Sequence, residues 1–313
     1  MRGLWGFLLL ILAVGIALSL LLGPMEGAPG WVVLRLRLPR TALALMAGAS
    51  LAVSGCVLQA VLRNGLATPY TLGISAGAGV TAGALLLSGA VVSRMVLVLS
   101  GTAGALATVA AVYALARAAA GGGTGSRIVL AGVTLNLIGA SVLLLFEYLS
   151  PASRLVEIIR WMMGDLSAVD SQLPLYLLPF TVAGLAAAGA RAGVLNQLES
   201  GHGLAASRGV SIVRERTLLL AAAALLAGGT VGAVGPIGFV GLIVPHMMRR
   251  LAGGDYRRLV YASALGGAAL LLLADVAARL VISPAELPIG VVMSILGGPF
   301  FLYLLLRGGR RAG

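Results

Sequence analysis

Long apolar blocks, separated by short intervals rich in arginine, glycine or proline, make up almost all of this 313-residue chain. Runs of about 18 or more apolar residues are typical of helices that cross a lipid bilayer. We find about ten such blocks, one of them short, and predict an all-α polytopic membrane protein. The blocks are Leu4–Leu22, Thr41–Leu62, Tyr70–Ala90, Met95–Ala116, Ile128–Leu149, Leu173–Ala190, Thr217–Val234, Gly235–Arg250, Leu259–Ile282 and Pro288–Leu306.

The first block, Leu4–Leu22, has the composition of either a signal peptide or a first transmembrane helix. Its apolar run is longer than that of a usual signal peptide, and Leu22–Met25 is a poor cleavage site. We therefore favour a retained helix.

The short block, Gly235–Arg250, contains Pro236 and Pro245 among three glycines. Such a sequence cannot form one regular helix. Because non-helical backbone at membrane depth must be buried in protein or line a wet cavity, we predict a broken or half-length helix here.

The longest polar interval, Arg191–Arg216, lies between two blocks that could each cross a bilayer. It carries four arginines, two glutamates and a histidine, which is too much charge for a membrane interior. The interval must lie in water, where a soluble partner could bind it.

The composition excludes a soluble protein, because only 10% of the residues are charged and the mean hydropathy is +1.04. The net charge of +12 comes from arginines that stand at the ends of apolar blocks, which fits topology signals better than a nucleic-acid-binding face. If the N-terminus is cytoplasmic and the spans alternate, fifteen of the 22 arginines fall on the cytoplasmic side. This bias predicts a multi-pass protein of the cytoplasmic membrane, with both termini and the Arg191–Arg216 interval in the cytoplasm.

The basic residues include no lysine, and this absence excludes an ATP-binding P-loop, which needs a lysine to reach the phosphates. Any ATP that drives this chain must be bound by another subunit. The two histidines and the single Cys56 are far apart and give no metal-site spacing. We interpret Cys56, inside an apolar run, as a small packing residue.

Two acidic residues lie within apolar blocks, Glu147 and Asp275. A transporter driven by an ion gradient uses buried acids as ion sites, so this class remains the alternative function. However, Glu147 lies near the end of its block, and Asp275 is four residues before Arg279, close enough to pair on one helix face.

Polar residues also border the apolar blocks at two other places. Leu34–Arg40 contains three arginines. Their simplest interpretation is structural: the side chains extend along the apolar surface and place their charges at a membrane interface. Pro151–Ser171 is amphiphilic, and its Trp161 suits an interface anchor.

Several motifs, in order along nearly the whole chain, resemble the FecCD/BtuC-type permeases of type II ABC importers. They are LRLPRTALALMAGASLAVSG, LQAVLRNGLATPYTLGISAGAG, RIVLAGVTLN, WMMGDLS, GPIGFVGLIVPHMMRRLAGGD, LLLADVAARL and ELPIGVVMSILGGPFFLYLL. The resemblance implies a single permease domain over residues 1–313, with ten helices, paired as a homodimer around a path for vitamin B12, haem or an iron–siderophore. It also implies two cytoplasmic ATPase subunits that bind ATP and Mg, and a periplasmic or surface binding protein.

The resemblance also implies roles for individual residues. Arg37, Arg40 and Arg279 match positions that dock the binding protein. Asn64 and Leu66, in NGLA where the family has NPLA, match a cytoplasmic gate, together with Thr124, Gly125 and Ser126.

The Arg191–Arg216 interval corresponds to the family's pair of short coupling helices, which sit in a groove on the ATPase. We therefore expect a helix within Gly201–Ser207. The family's paired acids are missing here, although the frame of the motif is kept. The predicted coupling residues are Gly201, His202, Leu204, Ala205, Arg208, Gly209 and Val210.

Overall fold

A computed structural model describes residues 2–23, 29–88, 92–118, 124–167, 170–283 and 285–308. Within these ranges the chain forms helices and connecting turns without a strand, so the predicted all-α class is confirmed. The helices are α1 (Arg2–Leu21), α2 (Gly30–Val32), a π-helical turn (Val33–Arg37), α3 (Leu38–Leu62), α4 (Ile74–Ser88), α5 (Arg94–Ala118), α6 (Thr124–Leu149), α7 (Ala152–Met162), α8 (Leu173–Ala190), α9 (Ala192–Ser200), α10 (His202–Ser207), α11 (Ile212–Val234), α12 (Val240–Ala252), α13 (Tyr256–Leu280) and α14 (Ile289–Gly308).

Seven helical stretches in the described part of the chain are long and apolar enough to cross a membrane. One of them, Gly30–Leu62, joins α2, the π-helical turn and α3 into a continuous helix. Two shorter apolar helices, Ile74–Ser88 and Ile289–Tyr303, accompany them, and α12 has only 13 residues. The number of crossings, about ten by sequence, stays a prediction.

The predicted break in the Gly235–Arg250 block is confirmed, because α11 ends at Val234 and α12 begins only at Val240. Gly235 has a φ of 75°, a conformation that residues with a Cβ rarely adopt. A Cβ at this position would also lie 2.0 Å from the carbonyl oxygen of Trp161. Glycine is therefore required here both by the turn and by the close approach of the α7 backbone.

The core forms where α3 packs against α12 and α13, and glycines set the distance between these helices. A Cβ on Gly48 would lie 2.2 Å from the carbonyl oxygen of Gly267, and a Cβ on Gly55 would lie 2.0 Å from that of Gly241. Small residues at such crossings let helix backbones meet in a low-polarity environment. The three helices therefore form one tightly packed unit.

Two side chains from the sequence analysis lie inside the protein. Cys56 on α3 is fully buried, as expected of a packing residue. Trp161 packs in a small buried cluster with Ala82 of α4 and Leu97 of α5. The expectation that Trp161 anchors the chain at a membrane interface does not hold for this side chain, because α7 folds onto α4.

The helix α6 is packed on one side only. Leu130, Leu137 and Leu144, spaced by seven residues, are 69%, 63% and 62% exposed. A seven-residue spacing places them on one face, so the chain presents a continuous apolar surface along α6.

Candidate functional site

A cavity of about 930 Å³ lies beside the break between α11 and α12. Its walls come from the turn after α3, the end of α7, the segment between α11 and α12, and α14. The described residues that line it all have uncharged side chains, so it suits a bulky ligand held without ion pairs. They are Leu66, Thr68, Tyr70, Thr71, Met162, Met163, Pro236, Gly238, Phe239, Leu242, Gly290, Val291, Ser294, Ile295 and Phe301.

Close backbone contacts hold α14 against the other walls of the cavity. The N–H of Gly290 donates to the carbonyl oxygen of Met163 at 3.0 Å, and a Cβ on Gly290 would lie 2.2 Å from that oxygen. Farther along α14, a Cβ on Gly297 would lie 2.1 Å from the ring of Phe239. Phe239 itself has a φ of 67°, which turns the chain into α12. The shape of the cavity wall thus depends on Gly290 and Gly297 of α14 and on the left-handed backbone conformation of Phe239.

Two of the predicted gate residues come together at this cavity. The Oδ1 atom of Asn64 accepts the backbone N–H of Leu66 at 2.9 Å, and Leu66, 47% exposed, lines the cavity. Ser126 is exposed in the first turn of α6 and is not among the lining residues described. The side chains of Thr124 and Gly125 lie outside the part of the chain that the structure describes. The gate role of these residues stays a prediction.

Two of the three predicted docking arginines, Arg40 and Arg279, meet in a set of ion pairs that we call the Asp275 cluster, formed by Arg40, Asp275, Arg279 and Glu286. Arg40 donates to Asp275 Oδ1 through Nε at 3.0 Å and Nη2 at 2.8 Å, and to Glu286 Oε2 through Nη1 at 2.7 Å. Arg279 Nε lies 3.2 Å from Asp275 Oδ2. The pairing of Asp275 with Arg279, predicted from their spacing, is confirmed.

The backbone and hydroxyl groups at the end of α1 complete this region. Arg279 Nη2 donates to Ser19 Oγ at 2.9 Å. Arg37 Nη1 donates to the carbonyl oxygens of Leu20 and Leu21 at 2.8 and 2.9 Å. Carbonyl groups at a helix C-terminus have no partner within the helix, so these arginines satisfy them and fix α1 to α3 and α13.

Burial separates the three predicted docking residues. Arg37 and Arg279 are only 8% and 3% exposed, and each binds groups of its own chain. Arg40 is more accessible, with 13% of its side chain exposed. Buried charges need close partners to offset their desolvation, and these arginines have such partners inside the chain. The docking role itself stays a prediction.

The polar interval of the sequence folds into two short helices. α9 runs over Ala192–Ser200 and α10 over His202–Ser207, so the expected helix within Gly201–Ser207 is confirmed. Gly201 forms the corner between them with a φ of 124°.

Among the predicted coupling residues, the backbone N–H groups of Arg208 and Val210 donate to the carbonyl oxygen of Ala205 at 3.2 and 3.1 Å. These bonds close the end of α10, beside Gly209 with its φ of 83°. Ala205 is buried, whereas Leu204 and Arg208 are exposed, and the side chain of His202 lies outside the described residues. The pair of helices thus offers an exposed face, and their coupling role stays a prediction.

A second polar set, which we call the Glu199 cluster, is formed by Asn196, Glu199, Arg249, Asp255 and Tyr256. Arg249 Nη1 lies 2.7 Å from Glu199 Oε1, and Arg249 Nη2 donates to the Tyr256 hydroxyl at 2.7 Å. Asn196 donates to Asp255 Oδ1 at 2.7 Å and accepts the backbone N–H of Tyr256 at 2.9 Å. The hydrogen bond from Asn196, followed by that from the N–H of Arg257, lowers the pKa of the Asp255 carboxyl. The cluster ties α9 to α12 and to the start of α13.

Sequence reasoning did not identify the Glu199 cluster or most of the cavity lining. The one local signal is the spacing of Asn196 and Glu199, three residues apart and therefore on one face of α9. For the cavity, the glycines and prolines of residues 235–245 indicated the place but not the aromatic and methionine side chains around it.

The sequence profile of the FecCD transport family matches residues 6–307. The chain belongs to the FecCD transport family. The resemblance drawn from the motifs is therefore confirmed, and this FecCD protein is a multi-pass membrane protein of the ABC permease type.

Named relatives agree with this family assignment. The chain is 42% identical over 279 residues to the vitamin B12 import system permease protein BtuC of Yersinia pseudotuberculosis serotype O:1b (strain IP 31758), covering 88% of this chain and 82% of the relative. It is 38% identical over 282 residues to the hemin transport system permease protein HmuU of Yersinia pestis, with 88% and 83% covered. It is also 38% identical over 286 residues to the uncharacterized ABC transporter permease protein YvrB of Bacillus subtilis (strain 168), with 89% and 80% covered.

A solved structure of a metal-chelate type ABC transporter in an inward-facing conformation has the same fold as this FecCD protein. The TM-score is 0.88 at 29% identity, and the match covers 98% of this chain and 99% of the other. The BtuC-like fold predicted from the sequence is confirmed.

Proposed function

We propose that this chain is the permease subunit of an ABC importer that moves a metal chelate across the cytoplasmic membrane. The substrate classes are a vitamin B12-type corrinoid, haem or an iron–siderophore. The observation that carries the proposal is the cavity of about 930 Å³ with an uncharged lining, in a chain that aligns along most of its length with named B12 and hemin permeases. A volume near the upper end of small-molecule sites suits a bulky chelate.

The transport path runs between two copies of the chain in this proposal, and alternating access results when the copies rock against each other. The exposed apolar face of α6, with Leu130, Leu137 and Leu144, supports a partner helix on that side. The incomplete wall of the cavity along α14 supports the same arrangement, because Ser294 and Ile295 line it and are exposed.

ATP binding and hydrolysis belong to two separate cytoplasmic subunits in this proposal, which bind ATP and Mg. The absence of lysine from the chain supports this division, and the exposed face of α9 and α10 supports a docking site for the ATPase. Both termini and residues 191–216 are then cytoplasmic. A periplasmic or surface binding protein delivers the chelate at the opposite end, where Arg40 is the most accessible of Arg37, Arg40 and Arg279.

The ion-gradient alternative needs an acid that can bind and release an ion within the membrane. Asp275 is fully buried and engaged by Arg40 and Arg279, which disfavours that role.

Reconstitution in liposomes tests the proposal. The chain is assembled with its ATPase and binding protein, and uptake of cyanocobalamin, haemin and a ferric siderophore is measured with and without ATP. We expect uptake of one chelate class that requires both ATP and the ATPase. Uptake by the chain alone under an ion gradient would overturn the proposal in favour of a secondary transporter.

A deletion of Gly201–Val210 tests the coupling region in the same system. We expect loss of ATPase co-purification with unchanged insertion into the membrane, since the deleted segment lies outside the long apolar helices. Normal assembly with the ATPase after this deletion would remove the coupling role.

A further inference from the structure

We propose that the ion pair between Glu199 and Arg249 transmits movement of the α9–α10 region to the wall of the cavity. The inference rests on the proposed function, because it assumes that α9 and α10 contact an ATPase. Glu199 and Arg249 act as positioning residues, since neither lines the cavity described above.

The first step is the attachment of α9 to the helices behind it. Glu199 lies in the last turn of α9, and its carboxylate binds Arg249 of α12 at 2.7 Å. Asn196, one turn earlier, bonds to Asp255 and to the N–H of Tyr256 at the start of α13. Side chains from one face of α9 therefore hold both α12 and α13, and a displacement of α9 pulls on both.

The second step is the position of α12. Arg249 lies seven residues after Leu242, a distance of about 10 Å along a helix. Leu242 lines the cavity, and Phe239 and Gly238, which precede α12, line it too. A shift of the Arg249 end of this 13-residue helix therefore reaches the cavity wall without any intervening loop.

The third step is the rigidity of the unit that moves. Gly241 of α12 meets Gly55 of α3 at backbone distance, and Gly266 of α13 lies against the Met248 side chain of α12. Helices packed at such distances shift together rather than bend, because interiors of this density have no free volume to absorb a displacement. A force on the ion pair therefore moves α3, α12 and α13 as one rigid unit.

The pair is also suited to repeated movement. Glu199 and Arg249 are 41% and 30% exposed, so water can solvate both charges when the contact opens. Arg249 keeps its bond to the buried Tyr256 hydroxyl, which holds the guanidinium in place for the pair to form again.

A second ion pair in the same region provides a matched control. Arg191 Nε lies 3.1 Å from Glu215 Oε2, joining the start of α9 to α11. The Arg191 and Glu215 side chains are 31% and 19% exposed, and the hydrogen bonds and ion pairs described for them do not involve α12. A non-specific effect, in which the loss of any charge from this region lowers transport, would appear equally on neutralising Arg191, Glu215 or Glu199.

The test uses the full complex in liposomes and measures chelate transported per ATP hydrolysed, with ATPase co-purification as the check on assembly. We expect E199Q and R249Q each to lower that ratio by at least about threefold while the ATPase still binds and hydrolyses ATP. The charge exchange E199R/R249E should recover part of the loss, because it re-forms the ion pair with the charges reversed. R191Q and E215Q should leave the ratio near that of the unchanged chain.

An unchanged ratio in E199Q would overturn the inference, as would an equal loss in E215Q. Loss of ATPase binding in E199Q would also overturn it, because Glu199 would then be a docking contact. If R249Q does not fold, E199Q on the more exposed side decides alone. Failure of the unchanged complex to transport any chelate would instead reject the proposed function, so the two failures can be distinguished.

Discussion

The Asp275 cluster and the Glu199 cluster lie near opposite ends of α13, about 28 Å apart along the helix axis. In the first, Asp275 and Arg279 are 0% and 3% exposed, and the hydroxyl and carbonyl groups of Ser19 on α1 accept hydrogen bonds from Arg279. In the second, Glu199 and Arg249 are 41% and 30% exposed. Both clusters pair an arginine with a carboxylate, but under different solvation.

Solvation decides what each cluster can do. Removing one partner of a buried pair leaves an uncompensated charge, whereas an exposed pair can open into water at little expense in free energy. The Asp275 cluster is therefore a fixed brace that joins α1, α3 and α13. The charges of the Glu199 cluster can separate into water at little cost in free energy, which fits the coupling role proposed for this region.

The largest effect is expected from D275N, which leaves Arg40 and Arg279 without their shared carboxylate. We expect the free energy of unfolding to fall by about 3–5 kcal/mol. Thermal unfolding in detergent measures this change. Unfolding is monitored by the reaction of Cys56, buried in the folded chain, with a maleimide dye. The control D170N alters an acid that bonds only locally to Gln172 among the described contacts and should shift the midpoint little. Equal midpoints for D275N and the unchanged chain would contradict the brace.

A smaller loss is expected from R279M, because Asp275 keeps Arg40 while the Ser19 groups lose their donor. The free energy of unfolding should fall by about 1–3 kcal/mol in the same assay. R35M, which removes an exposed arginine near the start of α3, is the control and should change stability by less than about 0.5 kcal/mol. If R35M were as damaging as R279M, burial would not explain the difference.

The partly exposed edge of the brace is tested by E286Q. Glu286 is 24% exposed and makes one ion pair with Arg40, so we expect a loss of about 0.5–1 kcal/mol in stability. The same change frees one side of Arg40 and should strengthen salt-dependent docking of an acidic binding protein, measured by surface binding at two ionic strengths. E286D keeps the charge and serves as the control. Weaker docking in E286Q would remove Arg40 from the docking surface.

The smallest change in stability is expected from E199Q, within about 0.5 kcal/mol of the unchanged chain. Its effect should appear in transport rather than in unfolding, which is the reverse of D275N. The dye-labelling assay, run on both variants with E215Q as the control, measures this contrast. A loss of stability in E199Q as large as that in D275N would show that the two clusters do not differ in kind.

Local patterns predicted much of this fold. The proline and glycine content of Gly235–Arg250 predicted the break, since both residues limit helix backbone within the segment itself. The i,i+4 spacing of Asp275 and Arg279 predicted their pair, because one helix brings them together. The helix in Gly201–Ser207 was expected from the family motif.

Contacts between distant segments were not predicted. Arg40 and Asp275 are 235 residues apart, and Glu199 and Arg249 are 50 apart. Such separations do not match the three- or four-residue spacing that brings side chains together on one helix. The sequence pattern therefore does not identify these residues as partners. Trp161 shows the same limit, since its burial follows from how α7 folds back and not from its neighbours in sequence.

The sequence by itself determined that this chain is a helical membrane protein of the FecCD family, because apolar length and motif order are properties of the chain alone. Only the tertiary structure decided which charged side chains are buried in ion pairs, which remain exposed to water, and which side chains line the cavity. The physical reason is that the exposure of a charged side chain and the identity of its partner depend on how the helices pack. This packing brings together residues that are far apart in the sequence.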